Sequence, residues 1–368
     1  MKIKTQVIFY YPQHFNRSAE GTNPFFDQLI EACDRYSIPY RLYEEPDYAT
    51  DKPRNPQARK ADAFFILVTI IRKVVRLFVL QDYYHREKYV AHIVNLITFG
   101  RFHVPVYVTI SESMLHLFAY INNKGKVFDV QHGVQYREFR RFYDERLYLS
   151  CHYDKPNIYF LDYGKGYKEA LIEGAEERMG ARVHVIGNPV RVGEVPLIYR
   201  DRRNIILIAL QLTDDSPIDV LETKKKQISD FLSNIEGMRC KVLLRHHPRY
   251  NNCIAIDDIL EHYPFTSLCN ERLEIIAQRV LLHATVNSTT AFDIAAYGVP
   301  SFFFGEPENL SFYKDYHYPL YKGMTIYEVI TRLSEQDSWK QDVQTLLSWY
   351  KCFYEPFNEE KFISLITH

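Results

Sequence analysis

Three stretches in the second half of the chain decide the fold: LLRHHPR (residues 243–249), VNSTTAFD (residues 286–293) and YGVPSFFFG (residues 297–305). The first places a guanidinium and imidazoles where the apolar run Cys240–Leu244 ends. The second places three hydroxyls before a helix-like segment, and an apolar strand-like run follows in the third. Fixed positive charge, imidazole donors and hydroxyls are groups that hold a phosphate. At strand ends in repeated strand–helix units, they predict a phosphate site at the mouth of a parallel sheet.

Apolar and β-branched runs recur along the whole chain with helix-like segments between them. This alternation predicts parallel sheets with helices on both faces, and its two series predict two α/β domains. The turn-rich stretch Gly187–Gly193 marks the boundary. The predicted domains cover residues 1–188 and 189–337, and helices follow over 338–368. The predicted strands are 4–10, 39–43, 104–110, 127–130, 158–161, 183–186, 205–210, 241–244, 280–283 and 301–304.

Two local patterns predict helix starts. Asn23-Pro24 precedes the apolar-periodic segment Phe25–Cys33, and proline is favoured in a first helical turn. Thr290 and Asp293 have the spacing of a capping box.

Composition and charge narrow the class of protein. The 368 residues carry a net charge of −1, which removes any argument from overall charge for nucleic-acid binding. The six cysteines form no CxxC pair, so neither a zinc site nor a disulfide framework is expected. The first residues, MKIKTQVIFY, resemble a β-strand and lack the features of a signal peptide. These observations predict a cytoplasmic protein.

The segment Ala63–Leu80 is apolar but interrupted by Arg72, Lys73 and Arg76, which makes it a poor membrane-spanning helix. On a helix the three cations fall on one side. One interpretation is a basic amphipathic helix on the anionic inner face of a bacterial plasma membrane. The other, slightly favoured, is a core helix of the first domain with a basic solvent stripe.

Two glycine- or acid-containing turns follow predicted strands. In Gln131-His132-Gly133, glycine permits a tight turn that would turn His132 toward the inter-domain crevice, although a single histidine is as often structural.

Gln211 begins a loop that contains Thr213, Asp215 and Ser216. Adjacent aspartates at 214 and 215 suggest a metal at first, but the position favours a loop that lines a nucleotide cleft. The spacing elsewhere suggests no metal ligand set, so we expect no metal.

Arg245, His247 and Pro248 form the most specific motif. Proline rigidifies the turn beyond the strand, and arginine supplies a permanent charge with several donors. His246 is expected to pack on the sheet, and the alternative for the whole motif is a basic surface turn.

The hydroxyls of Ser288, Thr289 and Thr290 could be helix caps only, but capping needs just one of them. The other two, with Asn287, are predicted to bind the same phosphate.

These motifs, in this order and spacing, resemble the bacterial capsule polysaccharide biosynthesis proteins, which include transferases that add Kdo to a lipid anchor. They are also similar to the CDP-glycerol glycerophosphotransferases and the bacterial sialyltransferases. The resemblance is firm over about residues 205–316 and patchy before that. It implies an α/β fold of the GT-B class, with two Rossmann-like domains facing across a cleft and a C-terminal helix crossing back to the first domain. The short first domain departs from these relatives, so the resemblance does not extend to the specificity for the acceptor.

When the site residues of these families are carried over to this sequence, the resemblance implies that Arg245 and His247 contact the donor phosphate. Ser288 and Thr289 would contact it from the opposite side. Gln211 and the loop 213–216 would lie near the leaving nucleotide, and the aromatic stretch 312–316 beside the donor. The expected reaction is an inverting, metal-independent glycosyl transfer from a nucleotide sugar, first of all CMP-Kdo or CMP-sialic acid. The acceptor would be a surface glycan or lipid-linked glycan.

A base from the first domain would take the acceptor proton. Glu20, in the loop after the first strand, is the first candidate, followed by Glu112 and then His132. Two alternatives stay open. The first is a glycerol- or ribitol-phosphate transferase with the same nucleotide site, and the second is a non-catalytic nucleotide-binding subunit of a surface-glycan assembly complex.

Overall fold

The computed structural model describes residues 5–134, 157–173, 180–190, 204–213, 216–247, 254–306, 310, 313–314 and 316–368. The chain divides into two compact units. The first comprises Met1–Arg191 together with Phe353–His368, and the second comprises Val192–Cys352. The predicted site residues Asp215 and Pro248 lie outside the described residues.

The first unit is built on a seven-stranded parallel sheet with the order β3-β2-β1-β4-β5-β6-β7. The order reverses between β1 and β4, so the connections after these two strands leave the sheet in opposite directions. Such a reversal opens a crevice at the carboxyl ends of the strands. The strands are β1 (Val7–Pro12), β2 (Tyr40–Glu45), β3 (Arg59–Lys60), β4 (Val106–Ile110), β5 (Lys126–Val130), β6 (Ile158–Asp162) and β7 (Val183–Val185).

Helices cover both faces of this sheet because its strands are apolar on both sides. Asn23 caps the first helix, since its side chain accepts from the Phe25 N–H at 3.0 Å, which confirms the predicted start. The last helix of the chain returns to this unit and buries Phe362 and Ile366 beside β1. The helices are α1 (Pro24–Arg35), α2 (Asp62–Phe78), α3 (Tyr83–Ile97), α4 (Leu115–Ile121), α5 (Lys165–Ile172) and, from the C-terminus, α12 (Glu359–Thr367).

A close backbone approach holds the C-terminal segment on the first unit. Asn188 and Pro356 form a parallel bridge, and the Asn358 N–H donates to the Ile186 carbonyl at 2.7 Å. At Gly187, whose φ is +82°, an added Cβ would lie 2.1 Å from the Pro356 carbonyl oxygen. Only glycine therefore fits at this contact.

The second unit contains a five-stranded parallel sheet with the order β10-β9-β8-β11-β12. Its strand order reverses between β8 and β11, so it has the same kind of switch point as the first sheet. The strands are β8 (Ile205–Ala209), β9 (Lys241–Arg245), β10 (Thr266–Leu268), β11 (Leu282–Thr285) and β12 (Ser301–Phe303). The helices are α6 (Ile218–Ile235), α7 (Asp257–His262), α8 (Leu273–Ile276), α9 (Thr290–Ala295), α10 (Ile326–Ser334) and α11 (Gln336–Phe353).

The predicted α/β class with two parallel sheets is confirmed. Every predicted run overlaps a strand, although the run 280–283 starts and ends two residues before β11 does. Two strands have no predicted counterpart, β3 and β10, because they are short, polar and at sheet edges. The chain returns to the first unit at Phe353, later than 338, because Trp339, Val343 and Leu346 of α11 are buried in the second unit.

The predicted capping box at Thr290 and Asp293 is wrong. The Ser288 hydroxyl accepts from the Thr290 N–H at 3.2 Å, and the side chain of Asp293 is exposed on α9. Capping-box geometry occurs instead at α10, between Thr325 and Glu328. Among the helices that the structure describes, none has the length and apolarity to cross a membrane.

Candidate functional site

The carboxyl edge of the second sheet brings two predicted donor-site residues to its switch point. Gln211 lies just beyond β8, and Asn287 lies just beyond β11, the strand that pairs with β8. Gln211 has a left-handed backbone, with a φ of +51°, and its carbonyl accepts from the Lys224 ammonium at 3.3 Å. A glutamine in this conformation is strained by about 1 kcal/mol or more, so the surrounding contacts hold the turn in place.

Both side chains present a buried acceptor atom. Gln211 Oε1 and Asn287 Oδ1 are shielded from solvent and have no hydrogen-bond partner among the described residues. A buried amide oxygen without a donor costs roughly 1–3 kcal/mol. A ligand that supplies hydroxyl or amino donors would recover this cost. Two such atoms on adjacent strand ends are therefore an observation that favours ligand binding.

A hydrogen-bonded turn follows β11. Thr285 Oγ1 donates to the Ala209 carbonyl at 3.2 Å and accepts from the Ser288 N–H at 3.1 Å. The buried Tyr313 hydroxyl donates to the Ser288 carbonyl at 2.6 Å. Gly305, after β12, lets the chain pass Val286, because an added Cβ would lie 2.7 Å from the Val286 carbonyl oxygen. The turn is therefore fixed from both neighbouring strands and from an aromatic side chain.

The three predicted phosphate-binding hydroxyls differ in their availability. Ser288 Oγ donates to Thr290 Oγ1 at 3.0 Å and accepts from the Thr290 N–H, so both hydroxyls take part in the local cap. Among the three hydroxyls, that of the half-buried Thr289 makes no hydrogen bond to a described residue, and the neighbouring Asn287 Oδ1 also has no donor among them.

Two further segments lie at the same edge. Beyond β8, Thr213 and Ser216 share a hydrogen bond of 2.9 Å between their hydroxyls, and α6 starts two residues later. At the end of β9, the Arg245 guanidinium donates to the Glu271 carbonyl in the loop after β10. Arg245 is thus turned toward the neighbouring outer strand. His246 and His247 are half-buried beyond β9, and burial lowers the pKa of His246.

In the first unit, a cationic cluster forms at the carboxyl edge around His132. Its ring packs edge-on against Phe15, with centroids 5.3 Å apart. Burial lowers the pKa of His132 to about 4, and the nearby charges of His14 and Arg17 act in the same direction. The imidazole is therefore neutral at pH 7.

Gln131 fixes the turn that carries this histidine. Its side-chain amide donates to the Gly133 carbonyl at 2.8 Å, and its amide oxygen accepts from the Tyr163 N–H at 2.8 Å. In Gln131-His132-Gly133 the glutamine is thus the positioning residue, and the histidine presents its imidazole beside the cationic cluster.

The loop after β4 is strained and held by a buried acid. Ser111, Glu112 and Met114 all have positive φ values, between 54° and 56°. Asp129 accepts from the Glu112 N–H at 3.2 Å and from the Thr109 hydroxyl at 3.0 Å. Burial, with a smaller contribution from Glu112, raises the pKa of Asp129 to about 7.

The loop after β1 depends on another buried carboxylate. Glu44 accepts from Asn16 Nδ2 at 2.9 Å and from the Asn55 N–H at 2.7 Å, and it pairs with Arg54. Glu20 occupies the tip of this loop, in the turn closed by the Gly21 N–H and the Ser18 carbonyl. Its side chain is exposed and makes no hydrogen bond to a described residue.

The predicted site residues therefore separate by unit. Gln211, Asn287 and Thr289 lie at the switch point of the second sheet, and Glu112 and His132 lie at the carboxyl edge of the first. Sequence reasoning missed His14, Arg17 and Lys224. His14 and Arg17 follow β1 directly, which is the signal that could have found them. Lys224 lies inside α6, and its hydrogen bond to the Gln211 carbonyl depends on how that helix packs.

The described residues contain no group of three or more His, Cys, Asp or Glu side chains that could hold a metal ion. The expected independence from metal stays a prediction.

Solved structures with the same overall fold cover almost the whole chain. The wall teichoic acid polymerase TagF is similar over 98% of this chain and 87% of its own, with 15% identity and a TM-score of 0.55. The lipopolysaccharide outer core galactosyltransferase WaaB is similar over 98% and 99%, with 14% identity and a TM-score of 0.51. A putative UDP-N-acetylglucosamine 2-epimerase from Listeria monocytogenes is similar over 93% and 91%, with 11% identity and a TM-score of 0.55.

No protein-family model matches the sequence, and no curated protein is similar to it in sequence. At this level of identity the solved structures establish the fold, which is that of the GT-B glycosyltransferases. The GT-B class predicted from the sequence is confirmed, whereas the resemblance to the capsule polysaccharide proteins stays a prediction.

Proposed function

We propose that this protein is a transferase that moves a group from a cytidine-nucleotide donor to a surface-glycan acceptor and releases CMP. The observation that carries the proposal is the pair of buried acceptor oxygens, Gln211 Oε1 and Asn287 Oδ1, at the switch point of the second sheet. Nucleotides bind at such switch points in α/β folds. Their ribose hydroxyls and base amino groups supply the donors that the two amide oxygens lack.

The second unit binds the donor in this proposal. Thr289 and the Asn287 amide contact the phosphate or ribose, and His247 approaches from the end of β9. Arg245 contributes its charge from the side, since one of its N–H groups already bonds to the Glu271 carbonyl. Fixed donors and a permanent cation would stabilise the negative charge that develops on the departing phosphate.

The first unit supplies the base. As the acceptor oxygen attacks, its proton passes to the base, and the bond to CMP breaks with its electron pair staying on the CMP phosphate. Of the three predicted bases, His132 is preferred because its turn is fixed by Gln131 and its imidazole carries no proton at pH 7. Its lowered pKa makes it a weaker base than a free imidazole. Glu112 is the second candidate, on a strained loop beside Asp129, and the exposed Glu20 is the third.

Two donors share this chemistry and differ in the bond that breaks. With a CMP-sugar, such as CMP-Kdo or CMP-sialic acid, the anomeric C–O bond breaks and the configuration inverts. With a CDP-linked glycerol or ribitol, the phosphoanhydride P–O bond breaks. The first follows from the sequence motifs. The second is favoured by the fold similarity to a wall teichoic acid polymerase, for which a structure soaked with CDPG is also similar to this chain.

A ligand panel tests donor binding. Thermal unfolding is measured with CMP, CDP, UMP, UDP, GDP and ADP, with magnesium and with EDTA. A ligand at a hundredfold its dissociation constant stabilises the folded protein by about 2.7 kcal/mol. We expect magnesium-independent stabilisation by CMP that Gln211→Ala and Asn287→Ala weaken. The control is Gln278→Ala, which removes an exposed amide from the same unit.

The results of this ligand panel distinguish the remaining hypotheses about function. Preference for UDP or GDP would refute the cytidine donor and leave a GT-B transferase. Stabilisation by CMP followed by turnover of a CMP-sugar, or of a CDP-polyol, assigns the broken bond. A protein that binds CMP but turns over neither donor would match the non-catalytic subunit of an assembly complex.

A further inference from the structure

The outward side of α2 in the first unit is apolar, although its inward side already fills the core. Phe64, Val68, Ile71 and Val75 are buried against the sheet at helical spacing. Ile66, Ile70 and Leu77 lie on the opposite side and are 49%, 54% and 75% exposed. A surface helix of a soluble protein normally carries polar residues there, so this second apolar face needs its own explanation.

The exposed apolar residues are concentrated in the hairpin of α2 and α3. Eleven of the eighteen large hydrophobic residues that the described chain exposes lie between residues 66 and 99. Among them Phe78, Leu80 and Phe99 are 79%, 95% and 96% exposed. Scattered single exposed residues are ordinary, but this concentration in one hairpin marks an interaction surface.

The charges of the hairpin decide which partner fits. Its three acids are all engaged: Glu87 is buried against Arg72, Asp62 pairs with Arg54, and Asp82 caps α3. The other cations of the two helices have no ion pair among the described residues. These cations are Lys73, Arg76, Arg86 and Lys88. The sequence-based prediction that Arg72 belongs to the exposed basic stripe is therefore wrong, because its guanidinium bonds bidentately to Glu87 at 2.8 Å.

We propose that this hairpin lies on an anionic bilayer surface, with the apolar side of α2 in the headgroup boundary and the four cations against lipid phosphates. An apolar face flanked by lysine and arginine is the pattern of an interfacial helix. A second copy of the chain would also cover the apolar face. It would, however, bring two uncompensated cationic surfaces together, so charge complementarity favours the anionic membrane. The inference is independent of the proposed donor.

Vesicle co-flotation tests this surface with no need for a substrate. The protein is mixed with vesicles of phosphatidylcholine alone or with vesicles that also contain roughly 30 mol% phosphatidylglycerol, an anionic lipid. Three variants are compared: Ile70→Ser with Leu77→Ser, Lys73→Ser with Arg76→Ser, and the control Ile218→Ser with Lys226→Ser. The control removes an exposed apolar residue and an exposed cation from the second unit. Circular dichroism and thermal unfolding check that each variant is folded.

We expect flotation with the anionic vesicles and none, or about tenfold less, with the neutral ones. Each removed cation should lower the partition coefficient roughly fivefold, and the serine pair on the apolar face should lower it at least as much. The control should bind like the wild type. Absence of vesicle binding, or binding that the two hairpin variants leave unchanged, would refute the proposal. Concentration-dependent dimerisation that the hairpin variants abolish, without vesicle binding, would assign the face to a second copy.

Discussion

The carboxyl edges of the two sheets have the same topology but different polar groups. At the switch point of the second sheet the polar groups are neutral amides and hydroxyls, and Arg245 and the two histidines after it lie farther along this edge, at and beyond the end of β9. The acceptor atoms of Gln211 and Asn287 are buried at the switch point without a donor among the described residues. The edge of the first sheet is rich in ionisable groups, and its buried carboxylates Glu44 and Asp129 are occupied by hydrogen bonds within the loops. The comparison teaches that one edge is suited to binding a ligand, whereas the other is suited to fixing the position and protonation of a few groups.

The largest effect is expected at the histidine of the first edge. Changing His132 to Ala should lower kcat by about 10²–10⁴-fold, the usual contribution of a general base. Donor binding, measured by thermal shift with CMP, should stay within a few-fold of the wild type. His92→Ala, at an exposed position of the same unit, is the control. Near-normal turnover of His132→Ala would transfer the base role to Glu112 or Glu20 and weaken the assignment of proton chemistry to this imidazole.

The second prediction concerns the protonation of the buried Asp129 at the first edge. The pKa of Asp129 is raised to about 7, so between pH 4 and 7 the folded protein binds a proton that the unfolded chain lacks. The contribution of this group to stability is therefore present at low pH and is lost as the pH rises through 7. In Asp129→Asn that dependence, at most about 1.4 kcal/mol per pH unit, should disappear.

Urea unfolding at pH 5 and pH 8 measures the difference between wild type and Asp129→Asn. The variant should gain stability relative to the wild type at the higher pH. Asp337→Asn changes an exposed aspartate and serves as the control. Parallel pH profiles for wild type and Asp129→Asn would show that the buried carboxyl does not titrate as its surroundings indicate.

The smallest effect concerns the support of the second edge. Tyr313→Phe removes the hydroxyl that bonds to the Ser288 carbonyl at 2.6 Å and leaves that buried carbonyl without its donor. We expect a loss of about 1–3 kcal/mol in stability and a severalfold weaker CMP affinity. Tyr327→Phe, at a side chain that is 65% exposed, should change neither. Equal losses in the two variants would show that the turn after β11 does not depend on Tyr313.

The sequence predicts the strands well because a parallel sheet covered on both faces requires continuous apolar runs. It misses β3 and β10 because Arg59-Lys60 and Thr266-Ser267-Leu268 pair only at sheet edges. It also places Gln211 and Asn287 at strand ends. That these ends are neighbours depends on the strand order, to which residues far apart in the chain contribute.

Other parts of the site depend on contacts that no local pattern contains. Ser288 resembles a free phosphate ligand in sequence, yet its hydroxyl caps the Thr290 N–H and bonds to the Thr290 hydroxyl. Arg72 resembles part of an exposed basic stripe, yet its partner Glu87 lies on the next helix. In both cases tertiary packing decides how a polar group is used.

The return of the chain to its first unit has a consequence for biosynthesis. Residues 353–368 complete a unit whose other part ends at Arg191, so the entire second unit is synthesised in between. The second unit can therefore fold first, while the apolar groove that receives Phe362 and Ile366 stays uncovered. A nascent chain should thus present an incomplete first unit until residues 353–368 emerge. Premature termination in α11 or α12 is then expected to harm the N-terminal unit, the one most distant in sequence.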